Sequence, residues 1–364
     1  MVFINPTSGN VKGFKIWQTV YPIFAQSNVK TKVIVSQRAG HAFDVISSCG
    51  IDELNSYDGL ICVGGDGFFS EILNGFLLPR HEPKHPPSSF GKIEEHDENE
   101  HCFYEKFRFG IIPSGSTDSL AKCTTGTRDP ATCALLIVLG RRVRIDIAQI
   151  IRWKETWASE TKPCVRYAAS FAGYGFYGDV ICESDKHRWM GPKRYDFAGT
   201  KMFMENRCYE AEVAFLETET ERESVCRTNC DVCLNVESRT GGDQWRKRRG
   251  RFVSVGAAIM SNRNDRSPDG LVADAHLCDG FLHLLLIREC SRPQYLWHLT
   301  QLAKRGGEPL NFEFVEHYKT STFTFTSIGK ESVWNIDGEL FVAHCLSARV
   351  YRGLIHLFAS GPEL

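Results

Sequence analysis

The sequence predicts an α/β N-terminal domain, built on a doubly wound and mostly parallel sheet, followed by a larger β-rich antiparallel C-terminal domain. Up to about residue 144, short apolar runs alternate with segments of helical periodicity, the pattern of strands covered by helices on both faces. After Ile145, strand-like runs follow one another across turns with few helices between them, as in an antiparallel sheet. At 364 residues the chain is long enough for two cores.

In order, "VFINPTSG" reads as a strand stopped by Asn5-Pro6, then an amphipathic helix through Trp17, Val20 and Phe24. "TKVIVSQ" is a second strand and "HAFDVISSC" a helix; "DGLICVG" is a third strand, with a helix from near Phe68. A Pro/His/Glu-rich insertion at 79–107 is expected to be a mobile loop. "RFGIIPSGSTDSLAK" supplies another strand, a turn and a helix start. The second domain is expected at 145–346, from "VRYAASFAGYG", "YEAEVAFLE", "RFVSVGAAIM", "GFLHLLLIREC" and "STFTFTS", with one helix in "PQYLWHLTQLAKRGG". A last strand in 347–364 is expected to return to the first domain.

Composition narrows the function. With 43 basic and 44 acidic side chains the net charge is −1, so no global field draws nucleic acid, and no such partner is expected. A 42% hydrophobic content excludes wholesale disorder. Fourteen cysteines without a leader-like start imply a reducing, cytoplasmic setting with free thiols. Apolar runs such as "CALLIVLG" are too short to span a bilayer, which leaves peripheral contact with intracellular membranes.

Three strand ends carry small polar turns, at 5–9, 64–67 and 114–117. In a doubly wound sheet, ligands bind beyond such strand ends, where glycine lets the backbone approach and free amides attract an anion. One such turn is ordinary; three in one half, one holding Asp66, point to a nucleotide site. No G-x-x-x-x-G-K-[ST] segment is present, so the site is not a P-loop.

"GGDGFFSEILNG", with "INPTSG" before it and "PSGSTD" and "NIDGEL" after it, resembles the diacylglycerol/sphingosine/ceramide lipid kinases. Within that group the ceramide kinases, particularly the plant form, are the nearest resemblance. It extends through "GYGFYGDVICESDKHRWMGPKRYDF", "CRTNCDVC", "MSNRNDRSPDGLVADAHLCDGF" and "KRGGEPLNFEFVE". Ceramide kinases usually carry a pleckstrin-homology region ahead of the first catalytic strand, where this sequence starts. The resemblance implies transfer of the γ-phosphate of ATP, with Mg²⁺, to the primary hydroxyl of ceramide. The rivals are a sphingosine or diacylglycerol kinase and a catalytically silent lipid-binding protein.

By that resemblance, ATP is lined by Asn5, Pro6, Thr7, Ser8 and Gly9, by Ser36, Gln37, Arg38, Ala39 and Gly40, and by Gly115, Ser116 and Thr117. Glu71 would hydrogen-bond the nucleotide; Arg188 and Arg194 would contact its phosphates. Asp337, Gly338 and Glu339 form the closing nucleotide element, and the two carboxylates are hard oxygen donors suited to Mg²⁺. Asp66 is expected to be the general base toward the lipid hydroxyl; alternatively it caps a helix or organises Mg²⁺. Gly64, Gly65 and Gly67 would line the substrate with it. Asp179 would contact the lipid head, and Ile181 stands where sphingosine kinases have an acid, which fits a neutral amide.

Two segments stay open. Cys226, Cys230 and Cys233 could hold Zn²⁺ with a fourth ligand elsewhere or be reactive thiols, and no metal is assigned to them. "WRKRRGR" reads as a solvated loop, a membrane contact or a nuclear-import signal.

Overall fold

A computed structural model describes residues 1–81, 107–156, 163–218, 225–234 and 244–362; most of the 79–107 insertion therefore lies outside the described residues. The chain opens with β1 (Val2–Ile4), α1 (Ser8–Val11), α2 (Gly13–Gln26), β2 (Val33–Val35), α3 (His41–Ser48), α4 (Ile51–Asn55), β3 (Leu60–Gly64) and α5 (Asp66–Leu77). β4 (Arg108–Pro113), α6 (Ser119–Thr125) and α7 (Pro130–Val138) follow. β2, β1, β3 and β4 lie side by side, all parallel. Side chains alternate across this sheet with the period of two that a strand imposes. Val2, Ile4, Ile61 and Val63 pack with Trp17, Val20 and Phe24 of α2 on one face. Phe3, Leu60 and Cys62 pack with Ile46 of α3 and Phe69, Ile72 and Phe76 of α5 on the other.

The remainder is strand-rich: β5 (Arg142–Lys154), β6 (Cys164–Ala168), β7 (Phe171–Gly175), β8 (Tyr209–Leu216), β9 (Trp245–Ala258) and β10 (Leu282–Arg288). β11 (Val315–Thr320), β12 (Thr322–Ile328), β13 (Trp334–Ile336), β14 (Glu339–Phe341) and β15 (Cys345–Phe358) complete it. These pairings are antiparallel except that of β15 with β4. Tyr174, Tyr209, Phe215, Phe252, Phe323, Phe325 and Trp334 form the aromatic centre of this half. β5 runs through the change of pattern at Ile145, and β15 lies along it from Cys345 to Phe358. β15 also pairs with β12 through Leu346 and Phe325, and with β4 through Leu357 and Phe109.

Three local readings differ from the structure. "VRYAASFAGYG" is two strands, broken at Ala169-Ser170, where the chain passes from β5's neighbour to β9's. The segment after β7 holds two helices, α8 (Phe176–Asp185) and α9 (Lys193–Glu205), joined through a 3-10 turn at Arg188–Met190. α8 buries Gly178, Asp179, Glu183 and Ser184, and α9 only Ala198 and Met202, so no apolar stripe announces them. "WRKRRGR" is the first half of β9 rather than a loop. Arg246, Lys247, Arg248, Arg249 and Arg251 pair with Glu217, Glu212, Glu316, Glu210 and Glu289 respectively. A strand whose cations each face a glutamate is a poor membrane or import patch, though such exposed pairs add only about 0–1 kcal/mol each.

Candidate active site

The carboxyl ends of β1, β2, β3 and β4 gather the predicted turns on one rim. A Cβ on Gly115 would stand 2.6 Å from Cα of Gly65, so these two turns touch backbone to backbone and admit no side chain between them. The Ser8 hydroxyl donates to Ser114 O (2.9 Å), joining the 5–9 turn to the 114–117 turn. Asn5 holds its own turn, its Oδ1 accepting from Thr7 N–H (3.1 Å) and Thr7 Oγ1 (2.8 Å). Ser36 N–H donates to Ile4 O (2.8 Å), which sets the 36–40 turn beside them.

Asp66 opens α5 at the centre of this rim. Its Oδ2 accepts from Ser119 N–H (3.0 Å) and its Oδ1 from Leu120 N–H (2.9 Å). It therefore caps the neighbouring α6 rather than its own helix, and each oxygen keeps a lone pair for another donor. Burial pushes its pKa up to about 6; the two N–H groups pull down, and the charges of Asp118 and Asp337 push up.

The sequence reading missed Asp118 and Arg128. Asp118 sits at φ 49° and accepts from Gly115 N–H (2.7 Å) while pairing with Arg128 (3.0 Å). Arg128 also donates to Ser116 O (3.3 Å) and pairs with Asp265. The aspartate that closes "PSGSTD" was the available signal, since an acid after a small-residue turn folds back onto its N–H groups. Arg128, ten residues on, carried none.

Several of the predicted residues have partners within the fold. Asp337 and Gly338 both have positive φ, 48° and 91°, as the tight turn from β13 to β14 requires. The Asp337 carboxylate turns inward, accepting from Ala169 N–H (2.7 Å), Ser170 N–H (3.0 Å) and Phe171 N–H (2.9 Å). It locks the break between β6 and β7 and is not disposed to hold Mg²⁺. Glu339, exposed and 3.8 Å from Arg166, remains the candidate metal ligand of the pair. Glu71 accepts from Ala42 N–H (2.8 Å) and Phe43 N–H (3.3 Å), so it caps α3 behind Gly40.

Arg188 and Arg194 meet one another's partner, not the strand-end turns. Arg188 bonds both oxygens of Asp185; Arg194 lies 4.0 Å from Asp185 and donates to Tyr195 Oη (2.7 Å). Asp179 is buried, with Oδ2 accepting from Tyr209 Oη (2.6 Å) and Oδ1 from Ser332 Oγ (2.7 Å). Ile181 projects about 200° round α8 from it, so the two do not face one head group. Asp179 lines a small mixed crevice with Phe176, Met202, Phe203, Asn206, Arg207, Val253 and Tyr295.

The rim is tied to the β-rich half from below. Asn74, on α5 two turns after Asp66, donates to Tyr167 O (2.9 Å) and accepts Tyr167 N–H (2.8 Å), a buried amide pair between helix and β6. From above, the β13–β14 turn stands over Gly67.

Comparison with known proteins agrees with this architecture. Residues 1–150 match the diacylglycerol kinase catalytic domain and residues 170–333 the ceramide kinase C-terminal domain. The chain is similar to a ceramide kinase of Arabidopsis thaliana, 52% identical over all of this chain and 73% of that one. It is also similar to a ceramide kinase of Oryza sativa subsp. japonica, 46% identical over all of this chain and 77% of that one. A solved diacylglycerol kinase from Bacillus anthracis str. Sterne shares the fold with a TM-score of 0.60 at 13% identity, covering 98% of this chain and 95% of that one. Identity this high along the whole chain, over both matched domains, leads to one assignment: the chain belongs to the ceramide kinase family.

Proposed function

We propose that this chain is an ATP-dependent lipid kinase that phosphorylates the primary hydroxyl of ceramide, giving ceramide 1-phosphate. The observation that carries the chemistry is Asp66, a carboxylate raised toward neutrality where the glycine turns meet; family membership carries the substrate. In this reading the nucleotide lies on the 5–9, 36–40 and 114–117 turns; Thr7, Ser36 and Gly115 N–H are taken within the protein, and other N–H groups of these turns would meet its phosphates. Asp66 takes the hydroxyl proton as the lipid oxygen attacks the γ-phosphorus and the bond to the leaving ADP breaks. Mg²⁺ usually binds through one or two carboxylates plus substrate phosphates, so Glu339 alone satisfies the protein's share. Bound there, the ion would offset charge on the β- and γ-phosphates. The direct test is phosphate transfer from labelled ATP to ceramide, sphingosine and diacylglycerol in matched micelles. Ceramide should be the preferred acceptor, and preference for either other lipid would overturn the assignment.

The pH dependence follows from the same group. A base must be ionised, and the Asp66 pKa lies at about 6. The kcat/KM for ceramide should therefore rise with pH through about 6 and level off above 7. A profile flat from pH 5 to 8 would remove Asp66 from the proton transfer.

Ceramide is met in a bilayer, and among the described residues no helix is long and apolar enough to cross one. We place the peripheral contact at the 3-10 turn, where Trp189 is 83% exposed between Arg188 and Lys193, with Phe197 also exposed on α9. Tryptophan partitions to the headgroup level, and of the flanking cations Lys193 favours anionic lipid, Arg188 being paired with Asp185. The free thiols of the described cysteines fit the cytoplasmic side. Trp189→Ser should weaken sedimentation with anionic vesicles several-fold while leaving ATP binding intact; unchanged sedimentation would exclude this turn as the contact.

A further inference from the structure

The three cysteines left open by the sequence meet a fourth ligand in the fold. Cys226, Cys230 and Cys233 lie in a ten-residue stretch, 225–234, around the short α10 (Asp231–Leu234). His276, from the connection between β9 and β10, turns its Nδ1 into the same space, and all four ligand atoms lie within 4.8 Å of one another. Cys226 Sγ is 3.7 Å from Cys233 Sγ. His276 Nδ1 is 3.2 Å from Cys230 Sγ and 4.0 Å from Cys233 Sγ. Zinc bonds of about 2.3 Å to sulfur and about 2.0 Å to nitrogen make tetrahedral edges of about 3.8 Å and about 3.5 Å. The sulfur–sulfur separation of 3.7 Å lies close to the first edge, and the sulfur–nitrogen separations of 3.2 and 4.0 Å bracket the second. They are far longer than the roughly 2.05 Å of a disulfide.

We propose that Cys226, Cys230, Cys233 and His276 form a closed, structural Zn²⁺ site. Four protein ligands leave no open position, which is the mark of a structural rather than a catalytic zinc. The surroundings suit the charge. Zn²⁺ with three thiolates and a neutral imidazole carries one net negative charge; binding releases the three thiol protons to solvent. Arg144 donates to Cys233 O (3.3 Å) and Arg352 to Val232 O (3.1 Å), bringing two guanidinium groups to the segment that carries the ligands. The Cys278 N–H also points to the Cys233 sulfur, an outer contact of the kind that orients a thiolate ligand. The site answers a folding need as well. A four-residue helix cannot hold itself, yet this stretch packs its three cysteines on the core shared by α5 and β15. Zinc would fasten it there, through the loop that leads into β10.

The site is separate from the catalytic rim, so its test does not depend on the phosphotransfer reading. The chain should be expressed with zinc supplied, purified without chelator and assayed for metal by elemental mass spectrometry. One zinc per chain is expected, released in step with mercurial titration of three thiols. Cys230→Ser and His276→Gln should each lose most of it. Because those variants could misfold, the wild-type chain exchanged with Co²⁺ provides a second readout: intense visible bands of tetrahedral cobalt–thiolate are expected. A folded wild-type chain without zinc, iron in its place, a Cys226–Cys233 disulfide, or an octahedral cobalt spectrum would each overturn the proposal.

Discussion

Asp66→Asn is expected to lower kcat for ceramide by about 100-fold or more, the scale of a lost general base, while ATP affinity stays near wild type. Asparagine keeps the size of the side chain but has no site of suitable basicity for the hydroxyl proton. It also offers one acceptor oxygen where the carboxylate serves two N–H groups, those of Ser119 and Leu120. Some loss of stability, about 1–3 kcal/mol, should therefore accompany the loss of turnover. Nucleotide binding and thermal denaturation, measured beside kcat, separate the two effects. If turnover stays within a few-fold of wild type, the proton goes elsewhere and Asp66 is only the cap of α6.

The largest stability effect is expected at Asp337→Ala. The substitution strips the acceptor from three N–H groups, of Ala169, Ser170 and Phe171, at a buried strand break. It also places alanine at φ 48°, a region that aspartate tolerates better. A loss on the order of 3–5 kcal/mol in denaturant unfolding follows, since each unmet buried donor costs about 1–3 kcal/mol and neighbouring losses do not add fully. Asp337→Asn keeps one good acceptor and should fall between. kcat/KM should drop with stability, because the turn that carries Glu339 would no longer be held over Gly67. A change below about 1 kcal/mol in Asp337→Ala would mean that water replaces the carboxylate.

Much of the rim was legible in the sequence because its signal is local. Glycines and small polar residues after apolar strands mark turns wherever they fall, and "VGGDG" and "PSGSTD" do so here. Unbroken apolar runs in β1 and β3 marked strands covered on both faces. What stayed hidden depends on partners distant in the chain. The direction of the Asp337 carboxylate is set by N–H groups nearly 170 residues away. Glu71 was assigned to the nucleotide by resemblance, and its bonds to α3 come only through the fold. α8 escaped because its buried face is built from glycine, acids and a serine, satisfied by Tyr209, Ser332, Lys186 and Lys201; α9 escaped because it buries only Ala198 and Met202. The basic run was misread because the glutamates opposite it belong to other strands. His276 could not be joined to the cysteines before the topology was known.

The ladder between β5 and β15 has a consequence for how the protein can be taken apart. Cys345 to Phe358 fills the gap between β12 of one half and β4 of the other, while β5 covers its remaining edge along nearly the whole length. The seam between the halves is thus a shared strand pair, not a tether. A fragment stopped at residue 144 would keep its glycine turns but leave β4 with a bare, apolar edge. A fragment begun there would keep its own strand order but leave His356 and Leu357 of β15 without β4. Cleft opening by rotation of rigid lobes would have to shear this ladder.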